Sequence, residues 1–293
     1  MNPGAYIRIT RPLNSLFAGF AVLLGVIIAA GSIPPPGEAA PSLIIYPALI
    51  IAVSLITAAG NVINDYFDRE IDAVNRPDRP IPAGEISPGA ALCYSLALFL
   101  AGLFACIFTN PICIAIAIFN SALLVLYAVR LKGLPLAGNA AVSYLTASIF
   151  LFGGAVYGWP GIMQNVFVAI IVFLAILARE ILKDAEDIEG DRAGGARTLP
   201  MSIGVGKSAA ACFVLCLAAV IISFMPVFRW WGMPYMASIA IADLVIMTGA
   251  IRGLRAGDPE TLISSKATSI LKYGMFLSLV IFIAFALLSG QIK

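Results

Sequence analysis

The sequence predicts an all-α membrane protein, a bundle of nine transmembrane helices. Three observations carry this: the composition, a set of nine apolar runs, and the placement of positive charge. Of the 293 residues, 61% are hydrophobic and 12% are charged, and the mean hydropathy is +0.98. A soluble domain is about 45–50% apolar and about 25% charged, so both figures depart toward lipid.

A helix needs about 20 apolar residues to cross a hydrocarbon core about 30 Å thick. Runs of that kind cover roughly 13–31, 42–63, 88–108, 111–130, 136–157, 162–182, 207–228, 234–251 and 268–290. Pro and Gly write several of the breaks: "SIPPPGEAAPS", "YGWPG" and "WWGMPY". The third and fourth runs are separated only by "FTNP", which predicts a helical hairpin. The first run follows Arg8 and Arg11 but is longer than the apolar core of a signal peptide, so it reads as a retained span. The chain is thus predicted to be one membrane-embedded domain over 1–293.

Charge fixes the expected orientation. With the N-terminus cytoplasmic, the inner segments hold Arg8, Arg11, Arg69, Arg76, Arg79, Arg130, Lys132, Arg179, Lys183, Arg192, Arg197, Lys207, Arg252, Arg255, Lys266 and Lys272. The outer segments hold Arg229 and Lys293. Sixteen cations against two is a strong positive-inside bias, and it puts the C-terminus outside.

Composition also excludes chemistries. A net charge of +2 is too small to grip a polyanion, so no nucleic-acid partner is expected. There is no histidine, which removes imidazole acid–base catalysis and histidine-ligated metals. The five cysteines lie in apolar runs without a C-x-x-C pair. Cys212 and Cys216 stand one helical turn apart, a spacing a metal can use, but buried small hydrophobes are the ordinary reading.

The polar chemistry gathers in two inner segments, about 64–87 and 183–206. They hold or border twelve of the sixteen acidic residues. The first reads "NDYFDREIDAVNRPDRPIPAGEIS", with Asp65, Asp68 and Asp72 spaced D-x2-D-x3-D. The second reads "REILKDAEDIEGDRAGGARTLP", and Asp184, Asp187 and Asp191 repeat that spacing. At about 100° per residue, positions i, i+3 and i+7 share one helix face. Each triad is therefore expected to present three carboxylates in one direction, as a helical continuation of a span. Asn64 borders the first face and adds an amide oxygen. Two carboxylates about 4 Å apart repel by up to about 4 kcal/mol at an effective dielectric of 20, so a cation belongs between them. Hard oxygen clusters of this type suit Mg²⁺, which takes carboxylates, waters and substrate phosphate together. The ordinary alternative is an acidic helix end neutralised by Arg69, Arg76, Lys183 and Arg192 at nearby positions. Two triads at one spacing on one membrane side favour metal-binding faces that converge on a diphosphate.

At these residues the chain resembles the UbiA superfamily of intramembrane prenyltransferases. "NDYFDREID" is similar to the family's N-D-x-x-D-x-x-x-D motif, and "DAEDIEGD" to its second D-x-x-D-x-x-x-D motif. The resemblance implies a UbiA-like bundle that binds an isoprenyl diphosphate donor through Mg²⁺ and transfers the prenyl chain. Asn64, Asp68 and Asp72 then match first-motif metal ligands, and Asp187 and Asp191 second-motif ligands, with Asp68, Asp72, Asp187 and Asp191 central to catalysis. Asp65 and Asp184 fit the pattern either as ligands or as partners of ligands.

"NRPDRPIPAGEIS" and "EILKDAEDIEGDRAGGARTLP" look most like the archaeal ether-lipid branch of the family. That branch attaches a geranylgeranyl group to the free hydroxyl of a prenylglyceryl phosphate acceptor. The resemblance further implies diphosphate contacts from Arg76, Arg79, Tyr127, Arg130, Lys132, Arg192 and Arg197. For Tyr127, Arg130 and Lys132, interfacial anchoring is an equal reading. Arg79 and Arg197 follow their triads in Pro- or Gly-containing loops, flexible enough to close over a phosphate. Arg11 and Asn14, at the mouth of the first span, could touch a bound head group, with anchoring as the ordinary reading. Asp243 is an acid in mid-span, expected to bond a neighbouring helix or line a cavity. Two competing functions remain: prenyl transfer to an aromatic quinone or chlorin precursor, and secondary transport. The transporter reading is weak because its substrate sites need mid-span charge. The expected setting is a cell membrane, among lipids, with the active site open to the cytoplasm.

Overall fold

A computed structural model describes residues 3–32, 44–193 and 197–289. The predicted break at 33–41 and the C-terminal Lys293 lie outside these residues. Among the described residues the chain is helical without strands. The helices are α1 (Pro3–Ile9), α2 (Pro12–Ser32), α3 (Ile45–Asn75), α4 (Pro88–Cys106), α5 (Pro111–Val129), α6 (Ala137–Gly154) and α7 (Gly158–Glu186). They continue as α8 (Ile188–Ala193), α9 (Leu199–Ile203), α10 (Val205–Ser223), α11 (Gly232–Leu254), α12 (Pro259–Ser265) and α13 (Ala267–Ser289).

Eight stretches are long and apolar enough to cross a membrane. One of them, Ala137–Glu186, is 50 residues long and contains α6 and α7 around a short 3-10 turn at Ala155–Tyr157. The predicted nine is close to this count: the runs 136–157 and 162–182 fall together in that one long stretch, as α6 and α7. The largest boundary difference is in α3, which continues about three turns past the apolar run and so carries the first aspartate motif.

Local signals explain where the helices start. Pro88 and Pro111 occupy first-turn positions, where the missing N–H costs nothing. Asn110 builds the predicted hairpin: its Oδ1 accepts from the N–H groups of Ile112 and Cys113, each at 3.0 Å. Its Nδ2 donates to the Ala155 carbonyl at 2.7 Å, tying the hairpin to the turn after α6. Asp258 and Thr261 form a reciprocal capping box at the start of α12.

The chain divides into two compact units. In the first, residues 3–131 and 149–163, α3 packs on α4, α2 and α5. Val22, Leu49, Ala52, Ile56, Phe99 and Phe152 form its core. Small residues permit close backbone approach, as at membrane helix interfaces generally. A Cβ on Gly153 would lie 2.2 Å from the Val22 carbonyl oxygen, a position only glycine can hold.

In the second unit, residues 132–148 and 164–289, α11 packs on α13 and α10. Leu182, Cys212, Cys216, Ile246, Leu262 and Leu271 are buried together there. Asp243 accepts a hydrogen bond from Ser223 Oγ at 2.7 Å, and the Tyr235 hydroxyl donates to the Ser223 carbonyl at 2.8 Å. The mid-span acid is thus bonded to the end of the neighbouring helix α10.

Candidate active site

The first motif lies on the polar extension of α3. Its three aspartates share a face of one continuous helix, as the spacing predicts, but they have different partners. Asn64 Nδ2 donates to Asp68 Oδ2 at 2.9 Å. Asp65 is buried, and its Oδ1 accepts from Arg11 Nη2 at 2.7 Å and Arg79 Nη1 at 3.1 Å. Arg79 Nη1 also donates to Asp72 Oδ2. The guanidinium of Arg79 therefore bridges two members of the triad. Arg69 does not play that part: it pairs with Glu70, donates to the Tyr66 carbonyl and lies over the Tyr66 ring. Arg76 caps α3 through its backbone N–H, and its side chain is exposed.

The loop after α3, expected to be flexible, is packed against the first helix. Ile81 and Ile86 are buried in one cluster with Ala5, Ile9, Val62 and Ala91. The N–H groups of Glu85 and Ile86 both donate to the Pro80 carbonyl, and Arg8 pairs with Glu85. Gly84 turns the chain with φ +74°. The apolar side chains of Ile81 and Ile86, together with the Arg8–Glu85 pair, pin this Pro-containing loop against α1.

Arg11 stands at the junction of α1 and α2 with φ +50°, a backbone region that residues with a Cβ seldom occupy. Sequence reasoning placed it as an anchor. The structure puts its guanidinium on Asp65, 54 positions away in sequence. Asn14 is exposed.

The second motif repeats the spacing but not the helix. α7 ends at Glu186, Asp187 sits in a bend, and α8 begins at Ile188. The expectation of three carboxylates on one continuous face therefore fails here. Asp184, still on α7, accepts from Asn139 Nδ2 at 2.9 Å. Asp187 is exposed, with Lys183 Nζ at 3.9 Å. The side chain of Asp191 lies outside the described residues. Glu186 accepts from Thr268 Oγ1 at 2.8 and 2.9 Å, which fastens the end of α7 to the start of α13.

The remaining cationic and aromatic candidates are distributed as follows. Tyr127 is half-buried near the end of α5, and Arg130 is the exposed C-terminal cap of that helix. Lys132 is half-buried in the following turn. Arg192 and Arg197 are exposed. Asn139 and Thr268 were missed from the sequence, since neither belongs to a spaced motif. Their roles come from tertiary contact alone.

Among the described residues, no three carboxylate or thiol side chains gather closely enough to hold a metal ion unaided. The donor set nevertheless fits a hard cation that keeps water and phosphate in its shell. Asn64 Oδ1 is buried without a hydrogen-bond partner, while the same amide bonds Asp68. A buried carbonyl oxygen left unpaired costs free energy, and an oxygen-seeking cation is the partner its chemistry suits.

The model of the UbiA prenyltransferase family matches residues 18–280. Digeranylgeranylglyceryl phosphate synthase of Methanoculleus marisnigri is 52% identical over 282 residues, 96% of this chain and 98% of that one. Its namesake in Methanoregula boonei is 50% identical over 284 residues, again 96% and 98% of the two chains. A solved structure described as giving insights into the biosynthesis of digeranylgeranylglyceryl phosphate synthase in membranes matches with a TM-score of 0.82 and 35% identity. It covers 97% of this chain and 98% of that one. A UbiA homolog from Archaeoglobus fulgidus bound to DMAPP and Mg²⁺ shares the fold at a TM-score of 0.64 and 18% identity, covering 98% and 99%. The multi-span helical fold, the two aspartate motifs and these matches lead to one conclusion: the chain is a prenyltransferase and belongs to the UbiA prenyltransferase family.

Proposed function

We propose that this enzyme transfers a geranylgeranyl group from geranylgeranyl diphosphate to the free hydroxyl of geranylgeranylglyceryl phosphate. The product carries the second ether bond of an archaeal membrane lipid. The observation that carries this reading is 52% identity, over 96% of the chain, to a protein named for that product. The active site faces the cytoplasm, in keeping with the sixteen inner cations.

Asn64, Asp68 and Asp72 in the first motif, and Asp187 and Asp191 in the second, are assigned to Mg²⁺ on the donor diphosphate, with Asp65 and Asp184 as their neighbours. When bound, Mg²⁺ supplies a positive charge that stabilises the departing diphosphate. Arg79 and the other cations of the two inner segments, Arg76, Arg130, Lys132, Arg192 and Arg197, supply further charge and orient the diphosphate, with Tyr127 beside them. The apolar spans hold the prenyl chain and exclude water while the allylic C–O bond breaks. A hydroxyl is a weak nucleophile at neutral pH, so it attacks after that bond has largely opened. The acceptor phosphate requires cations of its own, and a flat aromatic acceptor would leave these without a partner.

The test is a product assay with purified protein, labelled geranylgeranyl diphosphate, and the glyceryl phosphate and aromatic acceptors at equal concentration. The expected product is an ether lipid with two C20 chains. A prenylated aromatic acid or chlorin as sole product would refute the acceptor assignment.

A further inference from the structure

We infer that Arg79 is a resident counter-ion that competes with the metal for Asp72 and, once displaced, contacts the donor diphosphate. This rests on the reading that the first motif holds a divalent cation. Arg79 Nη1 donates to Asp72 Oδ2 and, at 3.1 Å, to Asp65 Oδ1. Mg²⁺ binds carboxylate oxygen at about 2.0–2.1 Å. A guanidinium on that same oxygen would stand close to the ion, and the two cations repel.

The two aspartates are unequal in a way that allows an exchange. Asp65 Oδ1 also accepts from Arg11 at 2.7 Å, so its buried charge stays matched when Arg79 departs. Asp72 loses its guanidinium and gains the metal. The backbone of Arg79 need not move. Its N–H donates to the Arg76 carbonyl at 3.0 Å, its carbonyl accepts from Ala83 at 2.9 Å, and Ile81 and Ile86 anchor the loop in an apolar cluster. Rotation of the side chain alone redirects the guanidinium. Without ligand Arg79 neutralises the Asp72 carboxylate. With a metal-bound diphosphate the displaced guanidinium meets new negative charge. Arg76, in the same loop, offers a control: its side chain is exposed, and its backbone N–H bonds the Asp72 carbonyl rather than the carboxylate.

The experiment titrates Mn²⁺ into the full chain in detergent, read by electron paramagnetic resonance, with and without inorganic pyrophosphate. Without pyrophosphate, Arg79→Gln should bind Mn²⁺ about tenfold more tightly than the parent, the scale of one partly buried ion pair. With Mn²⁺ saturating, it should bind pyrophosphate about tenfold more weakly. Arg76→Gln should change Mn²⁺ affinity by less than about twofold, because its charge is screened by solvent. If Arg79→Gln does not fold, Arg79→Lys carries the test: an ammonium is more strongly hydrated than a guanidinium and holds a buried acid less firmly, so Mn²⁺ affinity should still rise. Unchanged or weaker Mn²⁺ binding in the folded Arg79 variant overturns the inference, as does equal tightening in Arg76→Gln. If the parent binds no Mn²⁺ even with pyrophosphate, the metal reading of the first motif fails. If the parent binds and only the tightening is missing, that reading stands and this inference alone fails.

Discussion

Replacing Arg11 with Met removes one of two guanidinium groups from a buried carboxylate. The Asp65 side chain is 6% exposed, that of Arg11 38% and that of Arg79 16%. Breaking a fully buried pair costs about 3–5 kcal/mol, and an exposed pair is worth about 0–1 kcal/mol. Arg11 is partly solvated and Arg79 remains, so the coupling between Arg11 and Asp65 should lie between these limits, about 1–2 kcal/mol. A double-mutant cycle of Arg11→Met and Asp65→Asn isolates it. Thermal unfolding in detergent is the assay, and at about 2–4 °C per kcal/mol for chains of 150–250 residues the single variant should lose a few degrees. The Asp65→Asn background should remove most of that loss. Arg11→Gly separates backbone from charge, since it relieves the positive φ while deleting the guanidinium. Additivity of the two substitutions within about 0.3 kcal/mol would refute the pairing. A second consequence follows for the metal: without Arg11, Asp65 holds Arg79 more firmly, so Arg11→Met should weaken Mn²⁺ binding where Arg79→Gln strengthens it.

Asp68→Ala and Asp187→Ala should each abolish turnover while leaving the detergent-solubilised fold near normal, and EDTA should abolish parental activity until Mg²⁺ is restored. Full activity in either variant would contradict the two-motif reading. Cysteine labelling from each side of the membrane should place residues 78 and 194 on the cytoplasmic face and residue 293 on the outer face; a cytoplasmic C-terminus would require an even number of crossings.

Much of the fold is legible because lipid imposes a simple rule: each apolar run long enough to cross becomes a helix. Pro88, Asn110 and Pro111 mark helix starts by local chemistry, so they too are readable. The 50-residue stretch Ala137–Glu186 contains two helices, and Pro and Gly at "YGWPG" announce the break between them. The site is legible only in part. The D-x2-D-x3-D spacing identifies the acids, but it does not say which of them are already paired. Asp65 meets Arg11 across 54 positions, Asp184 meets Asn139 across 45, and Glu186 meets Thr268 across 82. Contacts at such separations leave no periodic trace. The loop 76–87 misled for a different reason: Pro and Gly suggest freedom, whereas burial of Ile81 and Ile86 is decided by the surface they meet.

The same spacing is realised on two different backbones, and this bears on how the motifs act. In the first, α3 runs unbroken through Asp65, Asp68 and Asp72, and the guanidinium groups of Arg11 and Arg79 restrain two of its carboxylates. Helical order preorganises that face, which limits the side-chain entropy lost when a cation displaces Arg79 from Asp72. In the second, the helix stops at Glu186, and Asp187 stands exposed in the bend. The bond from Thr268 to Glu186, the neighbour of Asp187, ties the end of α7 to the start of α13. A bend frees Asp187 from the helical register, so its carboxylate is not confined to the face that bears Asp184. The first motif is therefore suited to hold a cation in a preset geometry. The second presents an exposed carboxylate, loosely paired with Lys183, that adjusts at little cost. Under the proposed assignment of Asp187 to Mg²⁺, substitutions at Thr268 should raise the metal concentration required for turnover, whereas substitutions at Arg11 act on the first motif directly.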